Sequence, residues 1–497
     1  MSDNLMFDSK SSYRQILKAT SIFGGVQFFT ILISIVRSKI IAVLLGPSGL
    51  GIATLLNSTI GLINGFTGVG LETSAVKRIS EVNSDEDPEV LGKEVGILNR
   101  LLWITGLFGM CITIILSPWL SELLFDSDKY VIAIVWISAA VLFKQLSGGQ
   151  MAVLQGLRKL NYLAKANLLG NLLGLIITIP LYYYWKIDAI APAIVISSFT
   201  GLIFSWLYRR KTEIKIVKIT SFESFSKGKE LIRIGILLSL SGLLTTLSGY
   251  LLQLCISYNS GVTEVGYYNA GFAILNSYVG MIFTAMSTDY FPRLSSFSND
   301  NNKMREIVNQ QAYVGILLIT PIVVVFLAFI PLIVSLLYSP KFYAIMPMLS
   351  WGIIGMLFRT VSWSMGFILL VKGESRVFVK TAIFFNAISL LINIGGYMLW
   401  GLEGLGIGFM IYFFIHFIGL KIITKRKYDF SFENKFYRIF LCSVGLSFAA
   451  FSVLAVSNFY LKYGLMGLII IISLILTFAE LNKKVDLKEI LEKIRRK

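Results

Sequence analysis

Two basic residues, Lys144 and Arg359, each lie about 13 residues inside an otherwise apolar stretch, residues 131–153 and 346–371. An ionisable side chain in a membrane-spanning helix costs at least ~2.5–3.5 kcal/mol, so its presence indicates a function. Neither stretch contains an acidic residue that would form an ion pair with it. Arginine binds phosphate through its planar fork, and lysine adds a point charge. The pair therefore predicts a binding site for an anionic, phosphate-bearing ligand.

A third cation, Arg37, lies in the apolar stretch 21–45, in the predicted outer half of the membrane. It belongs to a polar stripe with spacings of three, four and three residues: Gln27, Thr30, Ser34 and Arg37. Such a stripe occupies one face of a helix and is typical of a helix that lines a water-filled cavity. Ser147 and Ser362 are predicted to line the same cavity. Lys39 points away from Arg37 and is expected to reach the outer membrane surface.

Charged residues also follow the second and eighth predicted helices. They are Glu72, Lys77, Arg78, Asp289 and Arg293. One interpretation is a gate, or an access point for phosphate, at the inner end of the cavity. The alternative is that Lys and Arg lie here because basic residues are enriched at the cytoplasmic ends of membrane helices. The sequence leaves both interpretations open.

The stretches that carry these residues recur along the chain. Of its 497 residues 55% are hydrophobic, and apolar runs of roughly 20 residues, long enough to span a bilayer, alternate with short polar breaks. We expect an all-α polytopic membrane protein of about 14 transmembrane helices. The expected helices cover residues 21–45, 49–71, 98–118, 131–153, 164–184, 188–208, 231–257, 265–288, 311–338, 346–371, 377–398, 403–422, 438–458 and 463–480.

Basic residues are concentrated on one side of these helices. The net charge is +17, and 37 of the 45 Lys and Arg residues lie in the termini and in alternate loops. The opposite loops hold four: Lys129, Lys186, Lys341 and Lys462. This asymmetry predicts that both termini are cytoplasmic. It also explains the positive charge without nucleic-acid binding, which we do not expect.

The two halves of the chain match at a constant offset of 215 residues. Matching pairs include Gly46 and Gly261, Gly51 and Gly266, Gly65 and Gly280, Arg78 and Arg293, and Lys144 and Arg359. Arg37 has no basic match, because Leu252 occupies that position. Each repeat contains six predicted helices, so both insert in the same orientation and form two lobes, an architecture typical of transporters.

The repeat predicts the domain organisation. We expect a cytoplasmic N-terminus (1–20), a first lobe (21–208), a cytoplasmic linker (209–230), a second lobe (231–422), two added helices (438–480) and a basic tail (481–497). The tail places apolar residues on one helical face and is expected to lie on the cytoplasmic leaflet. An exposed, solvated tail is the alternative.

Several chemistries are disfavoured. The sequence has no GxxxxGK[ST] phosphate loop and a single histidine, so nucleotide hydrolysis, zinc sites and serine–histidine catalysis are not expected. We predict a protein that is not an enzyme and needs no cofactor. Transport would then be coupled to a gradient, a concentration difference or a partner.

Glycine-rich motifs carry a family resemblance. Residues 45–54 read LGPSGLGIAT and residues 72–78 read ETSAVKR, while GYYNA (266–270) and FPRLS (291–295) occur in the second half. Over roughly residues 15–425 the chain resembles the polysaccharide transporter family of the multidrug/oligosaccharidyl-lipid/polysaccharide flippase superfamily. It is most similar to bacterial O-antigen flippases.

This resemblance implies a V-shaped fold that moves undecaprenyl-diphosphate-linked oligosaccharide from the cytoplasmic to the outer leaflet by alternating access. The cavity cations of the family correspond to Lys144 and Arg359 and, less directly, to Arg37. The expected partners are the polyprenyl-diphosphate-linked glycan, membrane lipids and the polysaccharide polymerase or chain-length machinery. The expected location is the bacterial cytoplasmic membrane.

Other functions remain open at this point. Lipid II flippases also have 14 helices, so a lipid II-type substrate is one alternative. A cation-coupled multidrug exporter of the same superfamily is another, although such exporters need acidic residues in their cavities, and Arg37 disfavours this. A membrane-embedded glycosyltransferase or polymerase is less compatible with the short outer loops, and a scaffold without transport is the last alternative.

Overall fold

A computed structural model of the chain describes residues 29–83, 87–217, 220 and 228–483, apart from the side chains of Leu237, Thr288 and Ser375. Helices dominate it. The α-helices are α1 Ser2–Thr67, α2 Leu71–Ser84, α3 Pro88–Ile115, α4 Ser117–Phe125, α5 Val131–Gly156, α6 Leu160–Trp185, α7 Ile190–Arg210, α8 Ser221–Ala273, α9 Met281–Ser295, α10 Asn301–Ala328, α11 Ile330–Leu337, α12 Met346–Val371, α13 Ser375–Tyr428, α14 Asn434–Val453 and α15 Phe459–Asn482.

Within the described residues, ten helical segments are long and apolar enough to cross a membrane. Four of them contain an internal break: at Gly46, between α6 and α7, at Gly261, and at Trp400–Gly401. Dividing these four at the breaks gives fourteen spans, the number expected from the sequence. The chain is an all-α, multi-pass membrane protein.

Two helices begin earlier than their hydrophobicity indicated. The sequence placed their starts at residues 98 and 311, whereas α3 begins at Pro88 and α10 at Asn301. Aspartates cap both: Asp87 accepts hydrogen bonds from the amides of Glu89 and Val90, and Asp300 does the same for the amides two and three residues on. The added turns are polar and lie outside the apolar windows, so the hydrophobic signal did not extend to them.

The chain divides into two compact units, Met1–Asn269 and Ala270–Lys497. In the first unit the apolar core lies between α2, α3 and α5 and includes Ile79, Leu98 and Leu146. In the second unit α10 packs against α12, α14 and α15, and α12 packs along α13. The boundaries of the two repeats, including the linker 209–230, stay predictions.

Gly46 and Gly261, which match in the repeat, have the same unusual backbone. Their φ and ψ angles are 71° and −169° for Gly46, and 80° and 176° for Gly261. This region of backbone space is almost restricted to glycine. Each glycine breaks a long helix, so the repeat that is visible in the sequence is also a repeat of backbone geometry.

Five residues after each break, a second matching glycine permits a close backbone crossing inside the first unit. A Cβ atom at Gly51 would lie 1.9 Å from the backbone oxygen of Val262, and one at Gly266 would lie 1.9 Å from that of Pro47. Side chains larger than hydrogen would separate the two helices. The glycine motif that carries the family resemblance thus forms the crossing of α1 with α8.

Candidate functional site

Lys144 lies on α5 and binds a residue of α1. Its Nζ donates a hydrogen bond of 3.0 Å to Oδ1 of Asn57. The amide nitrogen of Asn57 donates to the backbone oxygen of Ala53, one helical turn earlier, at 2.8 Å. This second bond fixes the amide so that its oxygen faces Lys144. The lysine is therefore held in position by a neutral partner, which leaves its charge uncompensated.

Arg37, on the first half of α1, lies against α6. Its Nη2 donates to the backbone oxygen of Asn171 at 3.3 Å, and its Nε is buried without a hydrogen-bond partner among the described residues. A buried donor without a partner is costly, so a ligand that accepts from it would recover that free energy. The guanidinium is thus only partly satisfied by the protein.

Arg37 and Lys144 line one cavity of about 340 Å³ within the first unit. Its walls come from α1, α5, α6 and α7, and no aspartate or glutamate is among the described residues that line it. Other polar side chains on the wall are Asn57, Ser147, Asn167, Asn171, Thr178, Tyr182, Ser197 and Ser198. The sequence placed Arg37 in the outer half of the membrane and Lys144 past its middle towards the cytoplasm, yet both line this one cavity. Two cations, with no carboxylate among the described residues of the wall, make this cavity a candidate site for an anion.

Arg359 has a different environment in the second unit. Its Nη1 donates to Oδ1 of Asn276 at 2.7 Å, and its guanidinium lies 5.2 Å from the ring centre of Phe283 and 5.3 Å from that of Phe413. Both distances are within cation–π range. Within the described part of the chain, no acidic residue forms an ion pair with Arg359, Lys144 or Arg37.

The two asparagines that bind these cations were not predicted from the sequence as site residues. Asn57 follows Gly46 by 11 residues and Asn276 follows Gly261 by 15, so the two differ by one helical turn and escape the 215-residue offset. Asn276 also lies in a π-helical segment, Ile274–Val279, a feature that is frequent at functional sites. A search for amides inside apolar helices would have found both.

The polar stripe of α1 is only partly on the cavity wall. Of its described members, Arg37 lines the cavity, whereas Thr30 and Ser34 do not. Gln27 lies outside the described residues. Ser147 lines the cavity as expected, and Ser362 is buried and donates to the backbone oxygen of Arg359 at 3.1 Å.

Most of the residues expected to form a gate make ion pairs with neighbouring side chains. Arg78 donates to Oε1 of Glu94 through Nε at 3.1 Å and through Nη2 at 2.8 Å, and this carboxylate raises the pKa of Arg78. The Lys77–Glu81 and Arg293–Asp289 pairs are longer, 3.9 Å each, and join residues one turn apart. These surface pairs favour the structural interpretation of Lys77 and Arg293.

Glu72 is an exception. It faces a groove of about 380 Å³ in the first unit, lined also by Asn64, Gln145, Ser239 and Thr246. Although the residue as a whole is exposed, burial of its carboxyl group by the surrounding protein raises the pKa of Glu72 to about 7. A carboxylate with this pKa changes its charge near neutral pH.

The apolar membrane-spanning segments, some of which line the cationic cavity of the first unit, define a multi-pass membrane protein. The sequence model of a family described as "Polysaccharide biosynthesis protein" matches residues 40–347. The chain belongs to this family, as the sequence motifs predicted.

Relatives with established names support the same superfamily. The chain is 20% identical over 348 residues to the lipid III flippases of Escherichia coli (strain K12) and Shigella flexneri, which covers 69% of this chain and 82% of theirs. These relatives are flippases rather than enzymes, which agrees with the prediction.

Solved structures of the superfamily share the fold. Lipid II flippase MurJ in an inward closed conformation matches with a TM-score of 0.69 at 15% identity, covering 92% of this chain and 99% of MurJ. An inward-facing multidrug resistance MATE family transporter matches with a TM-score of 0.69 at 16% identity, covering 82% and 98%. The all-α fold expected from the sequence is thereby confirmed.

Proposed function

We propose that this protein is a flippase that moves undecaprenyl-diphosphate-linked oligosaccharide from the cytoplasmic to the outer leaflet by alternating access. The observation that carries the proposal is the cavity of the first unit, where Arg37 and Lys144 face the same space and none of the described lining residues carries a carboxylate. A diphosphate carries several negative charges and acceptor oxygens, and it complements two cations whose protein partners are neutral.

The neutral part of the cavity suits the sugars. Asn167, Asn171 and Tyr182 present amide and hydroxyl groups, which hydrogen-bond to sugar hydroxyls. The cavity volume of about 340 Å³ fits the diphosphate with the first sugar. The polyprenyl tail would stay in the lipid.

The names of the relatives support a lipid as the transported molecule, because they are flippases of lipid III and lipid II by name. A lipid II-type substrate is the second candidate, favoured by the match to MurJ over 92% of the chain. Multidrug export is less compatible, because cationic drugs would meet Arg37 and Lys144 without a carboxylate on the cavity wall.

The remaining assignments follow from this proposal. We place the protein in the bacterial cytoplasmic membrane with both termini in the cytoplasm, because 37 of the 45 basic residues lie in the termini and alternate loops. The polymerase and chain-length proteins of the surface polysaccharide are the proposed partners. Arg78 and Glu72 would form the gate, or the access point for phosphate, at the inner end of the cavity.

Neutralising Arg37 together with Lys144, the two cations of the cavity, tests the proposal. In cells that depend on this protein, we expect the Arg37→Gln, Lys144→Gln variant to be inserted and stable but to display no surface glycan. Lys129→Gln with Lys341→Gln removes the same charge from exposed loop positions and should leave display unchanged. Normal glycan display in the first variant would refute the cationic-cavity mechanism.

Mass spectrometry of lipids retained by the purified protein identifies the substrate. Wild type should retain polyprenyl-diphosphate saccharides, and the double variant should lose them. Retained lipid II would favour the second candidate, and retained organic cations would favour drug export.

A further inference from the structure

The second unit contains a cavity of about 350 Å³ that takes no part in the proposed transport site. It lies where α10 and α14 begin. Its wall includes Glu306, Gln310, Tyr313, Glu433, Lys435 and Phe436. Both signs of charge and two aromatic rings therefore meet in one pocket.

The depth of this cavity matches the lipid headgroup layer. Both α10 and α14 are membrane-spanning helices, and Glu306 and Lys435 lie in their first two turns. Tyr313 is seven residues further along α10 than Glu306, which is roughly 10 Å deeper at 1.5 Å per residue. The cavity thus runs from charged residues where the two helices begin to Tyr313, about two turns deeper in α10, which is the direction in which a phospholipid enters the bilayer.

The wall of the cavity is fixed by hydrogen bonds of Asn309. Its amide nitrogen donates to the backbone oxygen of Ser431 at 3.2 Å, and its Oδ1 accepts from the backbone amide of Glu433 at 3.0 Å. These bonds tie the segment before α14 to α10. Tyr313 donates to Glu480 of α15 at 2.6 Å, so a third helix closes the group.

Negative charge is in excess at this wall. Glu306 accepts only a neutral amide, from Gln310 at 3.0 Å, and the carboxylate of Glu433 has no hydrogen bond or ion pair within the described part of the chain. Lys435 is the single basic residue on the wall, and it lies near enough to interact with Glu480. Both carboxylates are solvent-exposed, so a cationic donor can reach them, and the ammonium group of Lys435 is available for an anion.

We propose that this cavity binds one phospholipid whose headgroup carries a primary ammonium and a phosphate, as in phosphatidylethanolamine. The ammonium donates to Glu306 and Glu433, and the phosphate binds Lys435. The acyl chains follow the apolar surface of α14 and α15, where Leu441 and Ile475 are exposed. An anionic headgroup is repelled by the two carboxylates, and a choline headgroup has no N–H to donate.

The test is competition between lipids. Purified full-length protein is equilibrated with equal amounts of phosphatidylethanolamine, phosphatidylglycerol and phosphatidylcholine of the same acyl chains, and retained lipids are counted by native mass spectrometry. We expect one phosphatidylethanolamine per chain, preferred at least tenfold over either competitor. Glu306→Gln with Glu433→Gln should abolish this preference, and Lys435→Gln should weaken it several-fold.

Glu89→Gln with Glu213→Gln is the matched control, because it removes two exposed carboxylates from the first unit. It should keep the preference, as should Glu433→Asp, which retains the charge. Equal retention of the three lipids by wild type, or an unchanged preference in the Glu306, Glu433 variant, would overturn the proposal.

The basic residues 484–497 are the competing occupant, because they follow α15 directly. A chain shortened after Lys483 should bind phosphatidylethanolamine as the full chain does; binding that appears only after shortening would overturn the proposal and assign the cavity to the tail. All readouts are lipid retention, so they are independent of glycan transport, and either proposal can fail alone.

Discussion

Lys144 and Arg359 occupy the same position in the two repeats, yet their surroundings differ. Lys144 shares an open cavity with Arg37 and has one neutral partner, Asn57. Arg359 lies between two aromatic rings and binds Asn276. The first cation is presented to a ligand, whereas the second is largely engaged by the protein.

The backbone around these residues has diverged much less. Gly46 and Gly261 break their helices with nearly identical φ and ψ angles. Each repeat then contains a capped helix followed by a short one, α3 with α4 and α10 with α11. The comparison indicates that the two repeats retain the same helix geometry while the surroundings of their cations differ, with the cavity-facing pair Arg37 and Lys144 in the first unit.

The largest expected effect comes from removing both positive charges from the cavity of the first unit. Each charge-assisted hydrogen bond is worth about 1.5–3 kcal/mol, so Arg37→Gln with Lys144→Gln should weaken diphosphate binding on the order of 100-fold or more. Binding of farnesyl diphosphate to the protein in nanodiscs, followed by calorimetry, measures this. The matched control is Lys129→Gln with Lys341→Gln. Unchanged affinity in the cavity variant would mean that the two repeats do not differ as described.

Replacing Lys144 by arginine and Arg359 by lysine tests whether the two cations differ in how strongly the protein engages them. Lys144→Arg should bind farnesyl diphosphate nearly as well as wild type, because its cavity has room for the larger group. Arg359→Lys loses a stacked guanidinium, worth about 0.5–2 kcal/mol for each ring, and should lower the free energy of unfolding.

Chemical denaturation in detergent measures the stability of both variants. Phe413→Leu should reproduce part of the Arg359→Lys loss, because it removes one ring. If Lys144→Arg destabilised the protein as much as Arg359→Lys, the two cations would be equally engaged by the structure.

Gly46→Ala and Gly261→Ala test the helix break that the two repeats share. Both force a side chain into backbone space reserved for glycine, at an expected cost of about 1–3 kcal/mol each. The two losses in the free energy of unfolding should be similar. Gly445→Ala is the control, since a Cβ there meets nothing within 4 Å. A large loss in only one of the two variants would show that the breaks are not equivalent.

The smallest expected effect is a pH dependence from Glu72. Because its pKa is raised to about 7 in the folded protein, the folded state binds more protons than the unfolded state between about pH 4.5 and 7. Stability should therefore fall as the pH rises through this range, and Glu72→Gln should reduce that slope. Asp289→Asn, at an exposed site of the second unit, should not. Melting temperatures across the range decide between these outcomes.

Most of the fold could be predicted from the sequence. The breaks at Gly46 and Gly261 separate helices that the apolar runs had already separated, and the positions of Arg37, Lys144 and Arg359 stood out against those runs. Polar extensions such as Pro88 to Leu98 were missed, because the apolar windows exclude charged turns. The prediction that Thr30 and Ser34 line the cavity was wrong, because the helical period shows which residues share a face but not which helix packs against that face.

What the sequence alone determined is which residues lie in the membrane, because the bilayer selects apolar length and penalises charge along the chain itself. What only the tertiary structure decided is what each cation meets. Lys144 and Asn57 are 87 residues apart, and Arg359 and Asn276 are 83 apart, so neither contact leaves a local signal. Packing between distant helices made one repeat mate a ligand-facing charge and enclosed the other between aromatic rings.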